Sequence, residues 1–548
     1  MEFMGGDGEK SFIEGAVILS AAGLIAKIMG FGYRIVLPRV IGDKGVGLYQ
    51  LAYPIYTTLL VVSRSGIPVS LAKLISDRIA KEERKAAFKI FRVGRIMSII
   101  IGASFLLLMV ILARPIINFL EWDSEAIYPV LAISPAIFFV SIMATYRGFF
   151  QGLQDMVPTA YSQVIEQLIR MTTMIILVIL LIPYGPGLGA AGATFGAVTG
   201  SIAGLLTLLY IYNKRKNKIW KFVQIGSQVE IDTKKIIRDI ASLGIPVTIG
   251  ALVLPIMNFV DAAIVPQRLI VAGFRSSRAL ELYGQLSGMA MVLVNFPTII
   301  TISLAASLVP SISEAFALKE SLTIKKRTEA ALKLTILIGL PSAVGLFILA
   351  EPLTGIIFDN FEAAIPLRFL AWGVLFITLQ QTSSAILQGI GKTGIPALNL
   401  FIGAIINAII NYTLTAITHF GIRGAATGTV VGFGVAALLN LVYVKIYTNF
   451  SLKFKVFILK PIVSILIMAF VVKEGFQLIL YVSAPFIEYN FYLATFLTVL
   501  IAVLVYILTL LLLNEIKYND IVLIPKIGKK LADNLKKIGL VGDNDENG

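Results

Sequence analysis

Long apolar runs separated by short polar segments dominate the chain. A helix needs about 20 apolar residues to cross the ~30 Å hydrocarbon layer of a bilayer. On that criterion the pattern predicts fourteen spans, near 14–37, 45–66, 92–113, 126–149, 157–182, 188–212, 240–265, 283–308, 330–350, 364–387, 395–418, 424–446, 457–473 and 491–513. We therefore expect an all-α integral membrane protein.

An internal repeat relates the first six spans to the next six. Three segments recur in the same order at offsets of 235, 233 and 237 residues: Gly189–Thr194 returns as Gly424–Thr429, Ser70–Ala72 as Ser303–Ala305, and Ala113–Pro115 as Ala350–Pro352. Agreement at three places favours one duplicated unit over chance. Two similar bundles in a bilayer are typical of transporters, with the transport path between them.

The repeat divides the chain into predicted parts. These are a cytoplasmic N-terminus (1–13), an N-lobe of six spans (14–213), a basic cytoplasmic linker (214–239), a C-lobe of six spans (240–447), two further spans without a repeat partner (448–514) and a cytoplasmic tail (515–548). Each lobe has an even number of spans, so we expect the two lobes to share one orientation.

Composition and charge support a membrane location. The chain is 57% hydrophobic and 14% charged, with a mean hydropathy of +0.87, which excludes a soluble protein of this length. It has no Cys and therefore no disulfide or thiolate chemistry. Of 47 Lys and Arg residues, 33 fall in one set of loops, 9 in the other and 5 within spans. This bias predicts a multi-pass protein of the cell inner or plasma membrane with both termini cytoplasmic, and explains the net charge of +15 without nucleic acid.

Two motif matches carry no catalytic or cofactor chemistry. The segment Gly187–Gly192 fits the dinucleotide pattern G-x-G-x-x-G but follows a long apolar run instead of a strand. Glycines every four residues from Gly192 to Gly204 indicate close helix packing in lipid instead. The single His, His419, has no partners for a zinc site or a catalytic triad. We therefore expect no enzyme activity and no cofactor other than a possible Na⁺ ion.

Charged residues inside the spans are the best functional candidates, because a buried charge costs about 3 kcal/mol or more without a partner or cavity. Lys27 and Arg34 share one face of the first span, and Arg64 lies near the end of the second. They form either a basic wall for an anionic headgroup or side chains that extend to the membrane interface. Glu166 and Arg170, spaced i and i+4, predict an internal ion pair, with a proton or substrate relay as the alternative.

The second lobe carries different candidates. Asp261 lies within the seventh span, and Asn407 and Asn411 share one face of the eleventh. A carboxylate with amide oxygens matches the ligands of a hard monovalent cation. Packing of the two Asn side chains across helices is the alternative.

Several segments together resemble a known family. They are Gly23–Arg34, Gly45–Pro54, Ser65–Val69 and Ile524–Leu531. They are similar to the stage V sporulation protein B and YtgP group. This group is in the polysaccharide-transport branch of the multidrug/oligosaccharidyl-lipid/polysaccharide (MOP) exporter superfamily, and is related to the lipid II flippase MurJ. The resemblance implies fourteen helices, arranged as a V-shaped pair of six-helix lobes with two extra C-terminal helices.

The resemblance also implies a function. The family flips undecaprenyl-diphosphate-linked saccharide, such as the peptidoglycan precursor lipid II, from the inner to the outer leaflet. It implies Lys27, Arg34 and Arg64 as substrate-binding residues, and a sodium site formed by Asp261, Asn407, Asn411 and Thr427. The expected partners are the lipid-linked saccharide and membrane lipids, and the expected state is a monomer. Alternating access without ATP, driven by a cation gradient or the membrane potential, is the implied mechanism.

The alternatives to a flippase are a drug/cation antiporter, a membrane glycosyltransferase or polymerase, and a scaffold protein. A drug/cation antiporter of the same superfamily needs an acidic cavity, whereas the predicted cavity is basic. A membrane glycosyltransferase or polymerase needs acids or a large loop on its active side, and neither is apparent. A scaffold without transport activity leaves the charges within the spans unexplained.

Overall fold

The computed structural model describes residues 8–64, 66–225, 227, 229–451, 459–483, 490–513, 515 and 533. Nearly all of them are helical, which confirms the predicted all-α class. In chain order the helices are α1 (Gly8–Arg64), α2 (Gly66–Ala80), α3 (Arg84–Phe119), α4 (Ile127–Ile133), α5 (Pro135–Gly152), α6 (Val157–Leu181), α7 (Pro186–Ile225), α8 (Thr233–Val271), α9 (Ser276–Gly284), α10 (Met291–Ala317), α11 (Ser321–Ile348), α12 (Ala350–Phe358), α13 (Ala364–Leu370), α14 (Gly373–Gly389), α15 (Gly394–Leu414), α16 (Ile422–Thr448), α17 (Lys460–Ser483) and α18 (Asn490–Leu512).

Helix α1 is broken at Gly42, whose φ of 66° and ψ of 177° are not helical. Glycine tolerates a positive φ because it has no Cβ. Without a break, the 57 residues of α1 would extend about 86 Å at 1.5 Å per residue, far more than the hydrocarbon thickness. The break separates the first two predicted spans, 14–37 and 45–66.

Each predicted span overlaps a helix of the structure. Within the described residues, twelve helices are long and apolar enough to cross a membrane, or thirteen if α13 and α14, bent by 44°, together form one span. This total treats Val17–Ala80 as one span, although two predicted spans lie in it. The number fourteen therefore stays a prediction. Residues 1–7 and nearly all of the predicted tail 515–548 lie outside the described residues.

The chain forms two compact units by its contacts. The first contains residues 1–289 and 408–425, and the second contains 290–407 and 426–548. The predicted lobes, 14–213 and 240–447, were defined by membrane spans, whereas the two compact units are defined by contacts. The division into lobes therefore stays a prediction.

The internal repeat extends to side-chain contacts. In the first unit, Ser98 Oγ lies 2.5 Å from Thr145 Oγ1. In the second, Thr335 Oγ1 lies 2.7 Å from Thr382 Oγ1, and both residues are 237 positions later in the chain. Two close glycine contacts repeat with the same offset: Gly102 against Ser141 becomes Gly339 against Thr378, and Gly152 against Ile75 becomes Gly389 against Ile312. The two halves therefore share one packing scheme.

The glycine stripe of α7 packs directly on α6. A Cβ atom added at Gly192, Gly196 or Gly200 would come within 2.7–2.9 Å of atoms of α6. Ala or any larger residue at these positions would separate the two helices. Because these glycines have no side chains, α7 approaches α6 as closely as the sequence predicts. This close packing sets the position of the polar residues on α6.

The two C-terminal helices belong to the second unit. Their apolar residues pack with those of α11, and Tyr506 Oη donates a hydrogen bond of 3.1 Å to the Leu337 carbonyl oxygen. After α18, the buried Glu515 lies 2.9 Å from Lys333 Nζ. This ion pair ties the end of α18 to α11.

Candidate functional site

Three charged side chains of α5 and α6 meet inside the first unit. Arg147 Nη2 lies 2.9 Å from Glu166 Oε2, and Arg170 Nη2 lies 2.6 Å from Glu166 Oε1. The side chains are only 12–16% exposed. Each carboxylate oxygen thus accepts from a different arginine, and Glu166 links one residue on α5 to one on its own helix.

Close packing of α6 on α7 holds Glu166 in this position. The Ser162 hydroxyl donates to the Gly204 carbonyl oxygen at 3.1 Å and accepts from Arg147 Nη2 at 2.8 Å. At Gly200 an added Cβ would lie 2.7 Å from the Glu166 carbonyl oxygen. The small residues of α7 therefore bring the backbones together at the level where the charges meet.

Arg64 is the third cation of this site. It lies at the end of α1 and interacts electrostatically with both Arg147 and Glu166, without an ion pair to Glu166. We call Arg64, Arg147, Glu166 and Arg170 the arginine cluster. Two guanidinium groups pair with the single carboxylate of Glu166, and Arg64 adds a third positive charge, so the cluster carries an excess of positive charge in a segment that is otherwise apolar.

Tyrosines connect the arginine cluster to Arg34. Arg170 interacts electrostatically with Tyr33 and Tyr53, and Arg34 interacts with the same two tyrosines. Tyr53 stacks on Tyr49 with ring centroids 5.4 Å apart. Hydroxyl groups beside guanidinium groups provide further hydrogen bonds to a bound anion. The basic surface therefore continues from α6 to α1.

Lys27 lies two turns before Arg34 on α1 and is exposed. The same stretch of α1 faces polar residues of α6, because a Cβ added at Gly30 would lie 3.2 Å from Gln167 Nε2. Lys27, Arg34 and Arg64, the three predicted substrate-binding residues, thus lie on the helix that flanks the arginine cluster.

Two buried polar atoms at this site have no hydrogen-bond partner within the described part of the chain. They are Arg170 Nε and Gln163 Oε1. An unsatisfied buried donor is unfavourable by about 1–3 kcal/mol. The Arg170 guanidinium therefore retains donor capacity after binding Glu166. Guanidinium groups bind phosphate in a two-point geometry, so the arginine cluster has the chemistry of a phosphate-binding site.

Arg147 belongs to the arginine cluster but was not among the predicted site residues. Its place near the end of a span predicts a side chain that extends to the interface, but the structure shows it hydrogen-bonded to Glu166 and Ser162. The reason is that 19 residues separate Arg147 from Glu166, and no helical spacing relates residues on two different helices. Its charge within an apolar segment was the available signal.

The predicted cation ligands are divided between the two compact units. In the first unit, Asn411 Nδ2 lies 2.8 Å from Asp261 Oδ1, and the buried Asn411 Oδ1 accepts no hydrogen bond among the described residues. Asn407 and Thr427 belong to the second unit. A carboxylate beside an amide oxygen fits part of the ligand set of a sodium ion.

Comparison with protein families identifies two matching regions. The family described as polysaccharide biosynthesis protein matches residues 12–316, and the MatE family matches residues 285–413. The first match covers more than half of the chain and includes the whole arginine cluster.

Two solved structures share the fold. One is described as the lipid II flippase MurJ in an inward closed conformation, with a TM-score of 0.66, 18% identity and coverage of 90% of this chain and 98% of that one. The other is described as a multidrug resistance MATE family transporter of the MOP superfamily in an inward-facing conformation, with a TM-score of 0.64, 18% identity and coverage of 79% and 98%. These similarities confirm the predicted MOP fold.

Two relatives from Bacillus subtilis (strain 168) align over most of the chain. The lipid II flippase MurJ is 26% identical over 87% of this chain and 90% of its own length. Stage V sporulation protein B is 31% identical over 95% of this chain and 99% of its own length. These matches show that the chain belongs to the polysaccharide biosynthesis protein family, in the polysaccharide-transport branch of the MOP exporter superfamily that includes stage V sporulation protein B.

Proposed function

We propose that the protein is a flippase for a lipid-linked saccharide whose diphosphate binds at the arginine cluster. The observation that carries the proposal is the excess of guanidinium groups over carboxylates at Arg64, Arg147, Glu166 and Arg170. A polyprenyl diphosphate is the anionic part of such a substrate. Lys27 and Arg34 extend the basic surface along α1, where a saccharide or a second phosphate would lie.

The substrate class follows from this chemistry together with the relatives. A relative covering most of the chain is named a lipid II flippase. We therefore propose undecaprenyl-diphosphate-linked saccharide, with lipid II as the first candidate, moved from the inner to the outer leaflet. The chain is a transporter of its superfamily, and the proposed state is a monomer in the cell membrane with both termini cytoplasmic.

Two sets of contacts within the first unit support alternating access. At one end of the second half of α1, Gln285 Nε2 lies 2.6 Å from Asp43 Oδ2, and Gln50 Nε2 lies 3.2 Å from the Ser287 carbonyl oxygen. At the start of α2, Ser70 Oγ lies 3.2 Å from the Ile240 carbonyl oxygen. About 23 residues separate Asp43 from Gly66, a helical rise of about 35 Å, close to the membrane thickness.

We propose that these contacts are two gates on either side of the arginine cluster. The backbones meet at glycines in both: Gly47 and Gly284 in the first gate, Gly66 and Gly244 in the second. Without side chains, these surfaces separate and rejoin with few groups to repack. A substrate bound between the gates reaches one leaflet when the first opens and the other leaflet when the second opens.

We propose that a cation gradient or the membrane potential resets the gates. Asp261 and Asn411, which lie together in the first unit, would hold the cation. Sodium would supply a positive charge there, and Asp261 would balance that charge. Differential binding of one ion to two conformations shifts their populations.

A drug/cation antiporter is the second candidate, because the MatE family matches residues 285–413. A site for cationic drugs requires an excess of carboxylates, and the arginine cluster has the opposite balance. The antiporter is therefore tested beside the flippase in one experiment.

The test uses purified protein in vesicles that contain fluorescent lipid II, with outer-leaflet lipid measured by a reagent that does not cross the membrane. We expect Arg147→Gln and Arg170→Gln each to slow flipping by about 10- to 100-fold, because a hydrogen bond to a charged group contributes about 1.5–3 kcal/mol. Arg215→Gln is the matched control, since Arg215 pairs with Asp155 away from the cluster, and should flip at the wild-type rate.

Two outcomes would contradict the proposal. One is wild-type protein that moves lipid II no faster than empty vesicles. The other is gradient-driven transport of a cationic dye that both cluster substitutions leave unchanged, which would favour the antiporter.

A further inference from the structure

A second basic site lies apart from the arginine cluster, between the first turns of α3 and the last turns of α7. It is a cavity of about 190 Å³. Three cations line it, Arg92, Arg95 and Lys216, together with the aromatic residues Phe88, Tyr212 and Trp220. We call it the Trp220 pocket. Nothing in the proposed transport cycle uses it.

Within the described part of the chain, the three cations of the Trp220 pocket form no ion pair. Among the residues that the structure describes, no carboxylate oxygen lies within 4.0 Å of them. Other arginines close by in the same region do have such partners. Arg78 pairs with Glu83, and Arg215 pairs with Asp155. The positive charge of the pocket is therefore available to an anion from outside the chain.

Aromatic rings contact the two arginines of the pocket, Arg92 and Arg95. The Arg92 guanidinium carbon lies 5.8 Å from the centre of the Phe88 ring, and Trp220 packs edge-on against the same ring at 6.1 Å. Tyr212 belongs to the same aromatic cluster, 5.6 Å from Tyr146. Cation–π contacts restrict the arginine side chain without neutralising its charge. These contacts therefore limit the freedom of the two arginines and leave their charge available.

The lengths of the two helices place the pocket at a membrane surface. Helix α3 has 36 residues and α7 has 40, which extend about 54 and 60 Å, well beyond the ~30 Å of hydrocarbon. The pocket uses residues 88–95 of α3 and 212–220 of α7, at the ends of both. Trp and Tyr beside Lys and Arg are typical of the headgroup region, and Trp220 remains 51% exposed.

We propose that the Trp220 pocket binds the headgroup of an anionic glycerophospholipid of the adjacent leaflet. Arg92, Arg95 and Lys216 bind the phosphate and the headgroup oxygens, and the Trp220 ring lies along the glycerol and the start of the acyl chains. Basic pockets between helices at the membrane surface bind anionic lipids in this way.

The second half of the chain repeats the packing of the first but carries an acidic residue at the position equivalent to Arg92. The residue 237 positions after Arg92 is Glu329, whose Oε1 accepts a hydrogen bond of 2.9 Å from the Ser451 backbone nitrogen. A carboxylate there repels an anionic headgroup. The positive charge at Arg92 is therefore particular to the first half and not a consequence of the shared fold.

The experiment measures binding of phosphatidylglycerol, phosphatidylcholine and inorganic phosphate to the full chain in neutral detergent, by native mass spectrometry and by thermal stability. Wild-type protein should bind phosphatidylglycerol saturably, bind phosphatidylcholine far more weakly and show no stabilisation by phosphate alone. The triple variant R92Q/R95Q/K216Q should bind phosphatidylglycerol about 100-fold more weakly, at about 1 kcal/mol for each cation.

The matched control is K234Q/K235Q/R238Q, which removes the same charge from exposed positions at the start of α8. It should bind within about threefold of wild type, since these residues do not line the pocket. Trp220→Ala keeps all three cations and should weaken binding of phosphatidylglycerol but not its preference over phosphatidylcholine. If the triple variant R92Q/R95Q/K216Q does not fold, the Trp220→Ala variant tests the proposal in its place.

Equal weakening in the two triple variants would overturn the proposal, because it would reduce the effect to general surface charge. Stabilisation by inorganic phosphate as strong as that by phosphatidylglycerol would overturn it as well, in favour of a soluble anion. Neither result depends on which substrate the protein transports.

Discussion

The arginine cluster and its counterpart in the second half occupy equivalent positions but differ in chemistry. The residues 237 positions after Arg147, Ser162, Glu166 and Arg170 are Ser384, Asn399, Gly403 and Asn407. In the second half Asn399 Nδ2 donates to Asn440 Oδ1 at 2.8 Å, and Asn440 Nδ2 donates to Ser384 Oγ at 3.1 Å. The charged arginine cluster of the first half thus corresponds to a network of neutral amide side chains in the second half.

This difference teaches that the duplicated unit supplies a scaffold and each half carries its own polar groups. The contacts Ser98–Thr145 and Thr335–Thr382 hold the same helices together in both halves. In the first half this packing is combined with unbalanced charge at the arginine cluster. We therefore assign binding of the anionic substrate to the first half and expect the amide network of the second half to be structural.

The largest effect should come from Glu166→Gln. It leaves three guanidinium groups together without a carboxylate, and loss of one partner of a buried ion pair lowers the unfolding free energy by about 3–5 kcal/mol. Arg170→Gln should lower it less, because Arg147 still pairs with Glu166. Thermal unfolding in detergent measures both. Equal losses would show that Glu166 does not bridge the two arginines, whereas combined neutralisation of Arg147, Glu166 and Arg170 should recover part of the loss.

Asn440→Leu tests the second half. It leaves the buried Asn399 side chain without its partner and removes one of two amide donors to Ser384, the other being Gln380, which should lower the unfolding free energy by about 2 kcal/mol. The rate of lipid II flipping, measured in the same vesicles as above and corrected for folded protein, should stay within about twofold of wild type. A loss of flipping as large as that in Arg170→Gln would break the assignment of binding to the first half alone.

Sodium binding at Asp261 is the next test. A ligand at ten times its Kd stabilises the state that binds it by about 1.4 kcal/mol. Purified protein should therefore unfold at a higher temperature in sodium chloride than in potassium chloride of the same ionic strength. Asp261→Asn should abolish the difference. Equal unfolding temperatures for the wild type would exclude the sodium site and leave proton coupling or direct use of the membrane potential.

The smallest effect concerns the repeated hydroxyl contact. Ser98→Ala and Thr335→Val each remove one buried hydrogen bond between helices, and each should lower the unfolding free energy by about 1 kcal/mol. Similar values for the two variants would sharpen the comparison, because the scaffold would then be equivalent in energy as well as in geometry. A difference above about 1.5 kcal/mol would contradict that equivalence.

Much of the fold was predictable because the membrane imposes a local rule. Each run of about 20 apolar residues predicts a helix, and each predicted span overlaps one in the structure. The sequence predicts a polar segment between the first two spans, but it does not predict that the break within this segment is a positive φ at Gly42. The spacing of Glu166 and Arg170 predicts a contact within one helix, and the structure has one at 2.6 Å.

The remaining site residues depended on contacts between helices. Arg147 on α5 contacts Glu166 on α6. Asn440 on α16 is hydrogen-bonded to Asn399 on α15 and to Ser384 on α14. The rotation and depth of each helix decide such meetings, and these follow from close packing at residues such as Gly200 and Gly204.

By itself the sequence determined the membrane class, the duplicated plan and the presence of costly charges within spans, because apolar run length and charge are properties of short segments. The tertiary structure decided which charges share a site and which are balanced. Helices that are neighbours in the bilayer are often far apart in the chain, so their side chains meet only after packing has set every helix in place.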